Sequence, residues 1–183
     1  MYADPNGDGN FSDTQVMFAA WDRAAYRWRE PVVVATAPNF NPRPPLINVT
    51  LARDAGSGTY GIAWVESDNK TLTLALSRDD GATWKTQKAV SDARPLSGPT
   101  MAFFGGKIHL AIASDGSKSI RYITGALDED AGKWSSTLAP VPAGAMATHR
   151  ASFLALDAKG ALALAYWPKP ASGLACPRAW CLA

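Results

Sequence analysis

Between Leu46 and Trp167 apolar and polar residues alternate in short runs, each five to nine residues long and each broken by Gly, Asp, Asn or Pro. Period-two runs of this length predict strands, half-buried or fully buried, joined by tight turns. The runs fall into sets of four. One set is Leu46–Ala52, Thr59–Glu66, Thr71–Arg78 and Lys85–Val90, turning at residues 54–58 and 67–70. The next is Thr100–Phe104, Lys107–Ser114, Ser119–Leu127 and Ser135–Val141, whose first turn is Gly105-Gly106, a strong hairpin signal. Two incomplete sets flank them. Val16–Trp21 and Arg29–Ala35 read as the last two strands of a set, and Ala151–Leu156 with Ala161–Trp167 as the first two.

The third turn of the first full set has its own chemistry. It reads Ser77-Arg78-Asp79-Asp80-Gly81-Ala82-Thr83-Trp84. Asp79 can accept from backbone N–H groups inside the turn, Gly81 tolerates positive φ, and Ser77 and Thr83 can bond locally. The element repeats. Trp28 precedes Trp84 by 56 residues and Trp134 follows it by 50, with a degenerate copy at residues 127–134. The copy at Asp22–Arg27 reads as having lost the aspartate altogether. A recurrence of this length is that of a four-stranded propeller blade.

The S-x-D-x-G-x-T-W pattern of residues 77–84 resembles the Asp box, or BNR repeat, of sialidase-like β-propellers, and the likeness covers about residues 14–167. The fold expected is therefore all-β, a partial propeller of four-stranded antiparallel blades. Half a blade is expected at about 14–37, blades at about 39–92 and 93–142, half a blade at about 147–167, and an irregular tail at 168–183. In the resembled family the box aspartate is structural. Sialidase-like propellers have six blades, so the count implies either a piece of a larger propeller or a homodimer in which two chains complete six.

Blade geometry puts the start of strand one and the loop between strands two and three on one rim. That rim collects Arg43, Asp68, Asp115, Lys118, His149 and Arg150, together with the loop at Asp4–Asp13. The resemblance adds roles. Arg43-Pro44-Pro45 stands where sialidases carry an R-I-P motif whose arginine holds the substrate carboxylate, and Asp68 stands at the place of the acid/base aspartate. A guanidinium forks onto a carboxylate, and a partly buried carboxyl can protonate a leaving oxygen. Arg150, Asp115 and His149 are further candidates for contact with substrate. The alternative for Arg43 is packing between blades, and for Asp68 capping of a turn. Neither Tyr122 nor Tyr166 stands out as a nucleophile. The resemblance implies a glycan or glycoconjugate as partner, with either a sialidase-type glycoside hydrolase or a non-catalytic carbohydrate- or protein-binding module as the function, since a fold does not decide activity.

Composition changes this picture little. The 183 residues carry a net charge of +2, and no basic cluster suggests nucleic acid. No apolar run is long enough to span a membrane. The N-terminus has no signal-peptide pattern, although the resemblance favours an extracellular or periplasmic setting. No cofactor is required. Asp4, Asn6, Asp8 and Gly9 have the spacing of a calcium loop, but the twelfth position is Gln15, so the competing reading is a polar loop. Cys176 and Cys181 are read either as a disulfide or as two thiols.

Overall fold

The computed structural model describes residues 13–38, 49–66, 68, 70–93, 98–114, 119–127, 133–140, 146–147, 153–156, 162–165 and 168–169. These residues form strands and turns, with no helix among them. The first complete sheet runs β5 (Thr50–Arg53), β6 (Tyr60–Val65), β7 (Leu72–Ser77), β8 (Lys85–Val90), each antiparallel to the next. The second is β9 (Thr100–Phe104), β10 (Lys107–Ser114), β11 (Ser119–Ala126), β12 (Ser135–Pro140), in the same up-and-down order. Both follow the expected sets to within a few residues at most strand ends. Gly105 and Gly106 take φ of 58° and 70°, the primed turn that matches the twist of two hairpin strands.

The two sheets pack through one apolar cluster. Ala63, Val65, Leu72 and Leu74 of the first meet Met101, Ile108, Leu110, Ile112 and Ile123 of the second. Leu72, Leu74, Ile108, Leu110, Ile112 and Ile123 are all fully buried. Burying each such side chain stabilises the fold by about 1.5–3 kcal/mol before conformational entropy is set against it. The opposite face of the first sheet is covered as well. There Ile62, Trp64 and Ala75 meet Val16, Phe18 and Val34. These come from β1 (Asp13–Phe18) and β4 (Val32–Pro38), an antiparallel pair with a bulge between Val16 and Met17. The outer strand β8 carries Lys85 and Lys88, charges of the kind that discourage edge-to-edge pairing.

Beyond Phe18 the first pair continues as a narrow ribbon, β2 (Trp21–Asp22) with β3 (Arg27–Trp28). At the other end of the chain β14 (Phe153–Leu156) pairs with β15 (Leu162–Ala165). A short pair not suggested by the apolar pattern joins β13 (Met146–Ala147) to β16 (Pro168–Lys169). The first strands of successive units lie side by side, with β5 against β9 and β9 against β14. First strands gathered this way, with each sheet's later strands stepping outwards, make a partial β-propeller of two full blades and two two-stranded portions. The portions β1–β4 and β14–β15 belong to separate sheets, so they do not pair with one another within this chain.

Candidate functional site

The turn after β7 is built around one carboxylate. Asp79 Oδ1 accepts from the Ser77 hydroxyl at 2.8 Å and the Thr83 N–H at 2.9 Å, and Oδ2 accepts from the Thr83 hydroxyl at 2.6 Å. Ser77 Oγ in turn accepts from the Gly81 N–H at 2.9 Å. Trp84 closes the turn by donating its indole N–H to the Gly81 carbonyl at 3.0 Å. Asp80 and Gly81 both have positive φ, 57° and 88°. Every side chain that the sequence pattern singles out is thus engaged inside its own turn.

This network draws the Asp79 carboxyl down from 3.8 to about 2, first through the Thr83 hydroxyl, then the Thr83 N–H and the Ser77 hydroxyl. A carboxylate with a lowered pKa contributes stability above its ordinary pKa and loses that contribution as pH falls through its folded value. Stability should therefore drop between about pH 4 and pH 2. Asp22, Asp54 and Asp68 are also lowered, with the same sign. Asp79→Asn is accordingly expected to flatten the acid limb of melting temperature against pH without abolishing it. Superimposable acid limbs for the two proteins would show that the Asp79 network does not couple to folding.

Asp68 sits at the other end of β7, about 20 Å of strand away from the Asp79 turn. Its Oδ1 accepts from the backbone N–H groups of Lys70 and Thr71, both at 2.8 Å, and its Oδ2 from the Thr71 hydroxyl at 2.6 Å. Desolvation, the largest single influence, raises its pKa, but the Thr71 and Lys70 hydrogen bonds together outweigh it and the net shift is downward. A general acid working near neutral pH needs the opposite shift, so that it still holds a proton to give. The carboxylate as placed is a turn acceptor. Arg43, Asp115, His149 and Arg150 lie outside the described residues, as do Asp4, Asn6 and Asp8. Among the described residues no three His, Cys, Asp or Glu side chains gather in a metal-binding group.

His109 lies on β10 and is buried, facing Tyr122 of β11. Its Nε2 faces the Phe104 carbonyl at 3.3 Å and its Nδ1 faces the Tyr122 hydroxyl at 2.5 Å. A carbonyl only accepts, so Nε2–H donates to it and Nδ1 accepts the tyrosine proton. The pair is a satisfied bridge between neighbouring strands, and it occupies the hydroxyl of one of the two tyrosines considered from sequence.

Sequence reasoning missed the neighbourhood of Asp22. Its Oδ1 accepts from the N–H groups of Ala24 at 2.9 Å and Ala25 at 3.0 Å, so the turn of the ribbon has its own aspartate, one position upstream of the one that matches Asp79 in the repeat. Asp54 does similar work between β5 and β6, accepting from the Ser57 N–H and hydroxyl. The ribbon reaches the Asp79 turn through Arg29, whose Nη1 lies 2.7 Å from Asp80 Oδ2. Both partners are half exposed, so the pair orients the ribbon more than it stabilises it. Trp28 matches Trp84 in the repeat, yet the two differ in burial. Trp28 is 65% exposed and belongs to neither core cluster of the described residues, whereas Trp84 packs edge-on against Phe18.

Comparison with known proteins finds no matching family model and no matching curated protein. Among solved structures, an α-L-arabinofuranosidase from Lactobacillus brevis aligns with a TM-score of 0.47 at 14% identity. The alignment covers 90% of this chain and 58% of that enzyme, so the chain spans less than two thirds of its length.

Proposed function

We propose that the chain is part of an Asp-box propeller of the sialidase-like kind, and that it recognises glycans without hydrolysing them. The Asp79 turn carries this reading. Its serine, aspartate, glycine and threonine each fill the role expected of them from the S-x-D-x-G-x-T-W pattern, and its tryptophan donates to the Gly81 carbonyl. Recognition is favoured over hydrolysis by Asp68, the candidate acid/base, whose carboxylate is tied to Thr71 and Lys70 with its pKa lowered. In this proposal Arg43 and Arg150 meet the carboxylate of an acidic sugar, a match suited to the forked guanidinium, while Asp115 and His149 meet its hydroxyls.

The test pairs two measurements on one protein: release of a fluorescent aglycone from a sialoside, and calorimetric binding of sialyllactose. The expected result is binding without release, weakened roughly tenfold or more by Arg43→Ala and unchanged by Asp68→Asn. Release that disappears in Asp68→Asn would establish the hydrolase reading instead. Neither binding nor release would remove the acidic-glycan assignment from this rim.

A further inference from the structure

Three aromatic rings stand in solvent at the end of the β1–β4 pair. Trp21 and Trp28 face each other across the ribbon, and Tyr26 folds back from the turn between them. The Trp21 ring lies 5.2 Å from Tyr26 and 5.5 Å from Trp28, centroid to centroid, with interplanar angles of 74° and 75°. Both outer rings stand nearly perpendicular to the middle one, which makes an aromatic corner. Tyr26 is 82% exposed and Trp21 40% exposed, and none of the three rings belongs to a core cluster.

The backbone adds an independent observation. Tyr26 has φ of 51°, a left-handed conformation that glycine adopts without the cost an L side chain incurs. Its ring recovers almost none of that cost by burial. A strained residue whose side chain is held in water points to a role in what that side chain presents.

Size and charge select the occupant. Three side chains on a ribbon two residues long fall far short of the roughly 800 Å² per partner of a stable protein interface. They suit a ligand of one or two rings. Arg23, Arg27, Arg29, Asp22 and Glu30 flank the three rings along the chain, and Asp80 pairs with Arg29, so the charges of the ribbon balance. A quaternary ammonium, the other ligand suited to perpendicular rings, would call for an acidic surround. An anionic membrane surface would call for a basic one.

We infer that the Trp21–Tyr26–Trp28 corner is a stacking platform for a neutral saccharide. The C–H face of a pyranose or furanose ring lies on an exposed aromatic face, and its hydroxyls reach the flanking charged groups. The platform is joined through Arg29 to the turn that follows β7, whereas Asp68 precedes β7, so it is a second site and does not depend on what the Asp68 rim does.

Affinity gel electrophoresis through xyloglucan, arabinoxylan and galactomannan tests this directly. At least one of these should retard the protein and change its tryptophan fluorescence. Trp28→Ala and Tyr26→Gly should each weaken the retardation roughly tenfold or more. Tyr26→Gly should also keep or raise the melting temperature, since it removes the strain, and that separates lost binding from lost folding. No retardation by any of the three polymers overturns the inference, as does retardation that survives both substitutions. Sedimentation with phosphatidylserine vesicles, or a dimer seen by light scattering, that Trp28→Ala abolishes would assign the corner to a membrane or to a second copy and overturn it equally.

Discussion

Gly81→Ala is expected to destabilise the protein by roughly 2–5 kcal/mol, combining left-handed strain with overpacking. A Cβ built on Gly81 would lie 2.1 Å from Phe18 Cε1, closer than any real contact allows, and φ there is 88°. Phe18 cannot simply retreat. Its ring is held 5.1 Å from both Tyr60 and Trp84, in the core between the β1–β4 pair and the first blade. Gly105 supplies the control. Its φ is also positive, but nothing lies within 4 Å of a Cβ placed there. Gly105→Ala should therefore show backbone strain alone, about 1–2 kcal/mol. Urea melts of both variants measure the difference. Equal losses would mean that Phe18 yields without cost and that the contact is soft. Combining Gly81→Ala with Phe18→Ala should lose less than the sum of the two single changes, because the neighbours share one packing defect.

The second large effect is expected at Trp64. It is only 3% exposed, packs among Val16, Phe18, Val34 and Ala75, and donates its indole N–H to Glu66 Oε1 at 3.1 Å. Trp64→Ala should cost about 3–5 kcal/mol, the usual range for removing a large buried ring. The loss should not be uniform. Hydrogen exchange should quicken most in β1 and β4, whose apolar face rests on this ring, and less in the second blade. Leu51→Ala, at a side chain 54% exposed, should change stability by no more than about 0.5 kcal/mol. Trp64→Ala costing as little as Leu51→Ala would show that the β1–β4 pair is not held by this core.

The blades were legible because their signals are local. The Gly105-Gly106 turn, the alternation of Leu72 and Leu74 with polar neighbours, and the serine, aspartate and glycine of residues 77–81 each act within a few residues of themselves. The ribbon was not legible for a physical reason. Trp28 and Trp84 occupy the same repeat position, but burial depends on whether a sheet lies opposite, and sequence spacing does not report that. Asp22 is hard to read from sequence because its carboxylate closes a turn from one position upstream of the one that matches Asp79. Asp68 shows the limit at the candidate site. An aspartate in a loop between strands reads equally as an acid or as a cap. Only the positions of Lys70 and Thr71 reveal that its oxygens are already committed to neighbouring donors.

Strand β6 carries a further consequence. Its residues are apolar on both sides, with Ile62 and Trp64 towards one neighbour and Ala63 and Val65 towards the other. Such a strand has lost the usual safeguard against misalignment. Where one face meets water, a slip of one residue is penalised at once because apolar groups are exposed. Here a slip would trade one dry face for another, and water would not object. The information that fixes alignment must come from elsewhere, and it is found at the strand's two ends. Asp54 closes the turn before β6 and Asp68 closes the turn after it. A slipped β6 would have to drag both carboxylates off their N–H and hydroxyl partners. Gly61 adds a steric check, since a side chain there would meet Phe103 at 2.8 Å. The two aspartates thus act as proofreading marks for a strand whose own composition is ambiguous, and this gives Asp68 a reason to exist that owes nothing to catalysis.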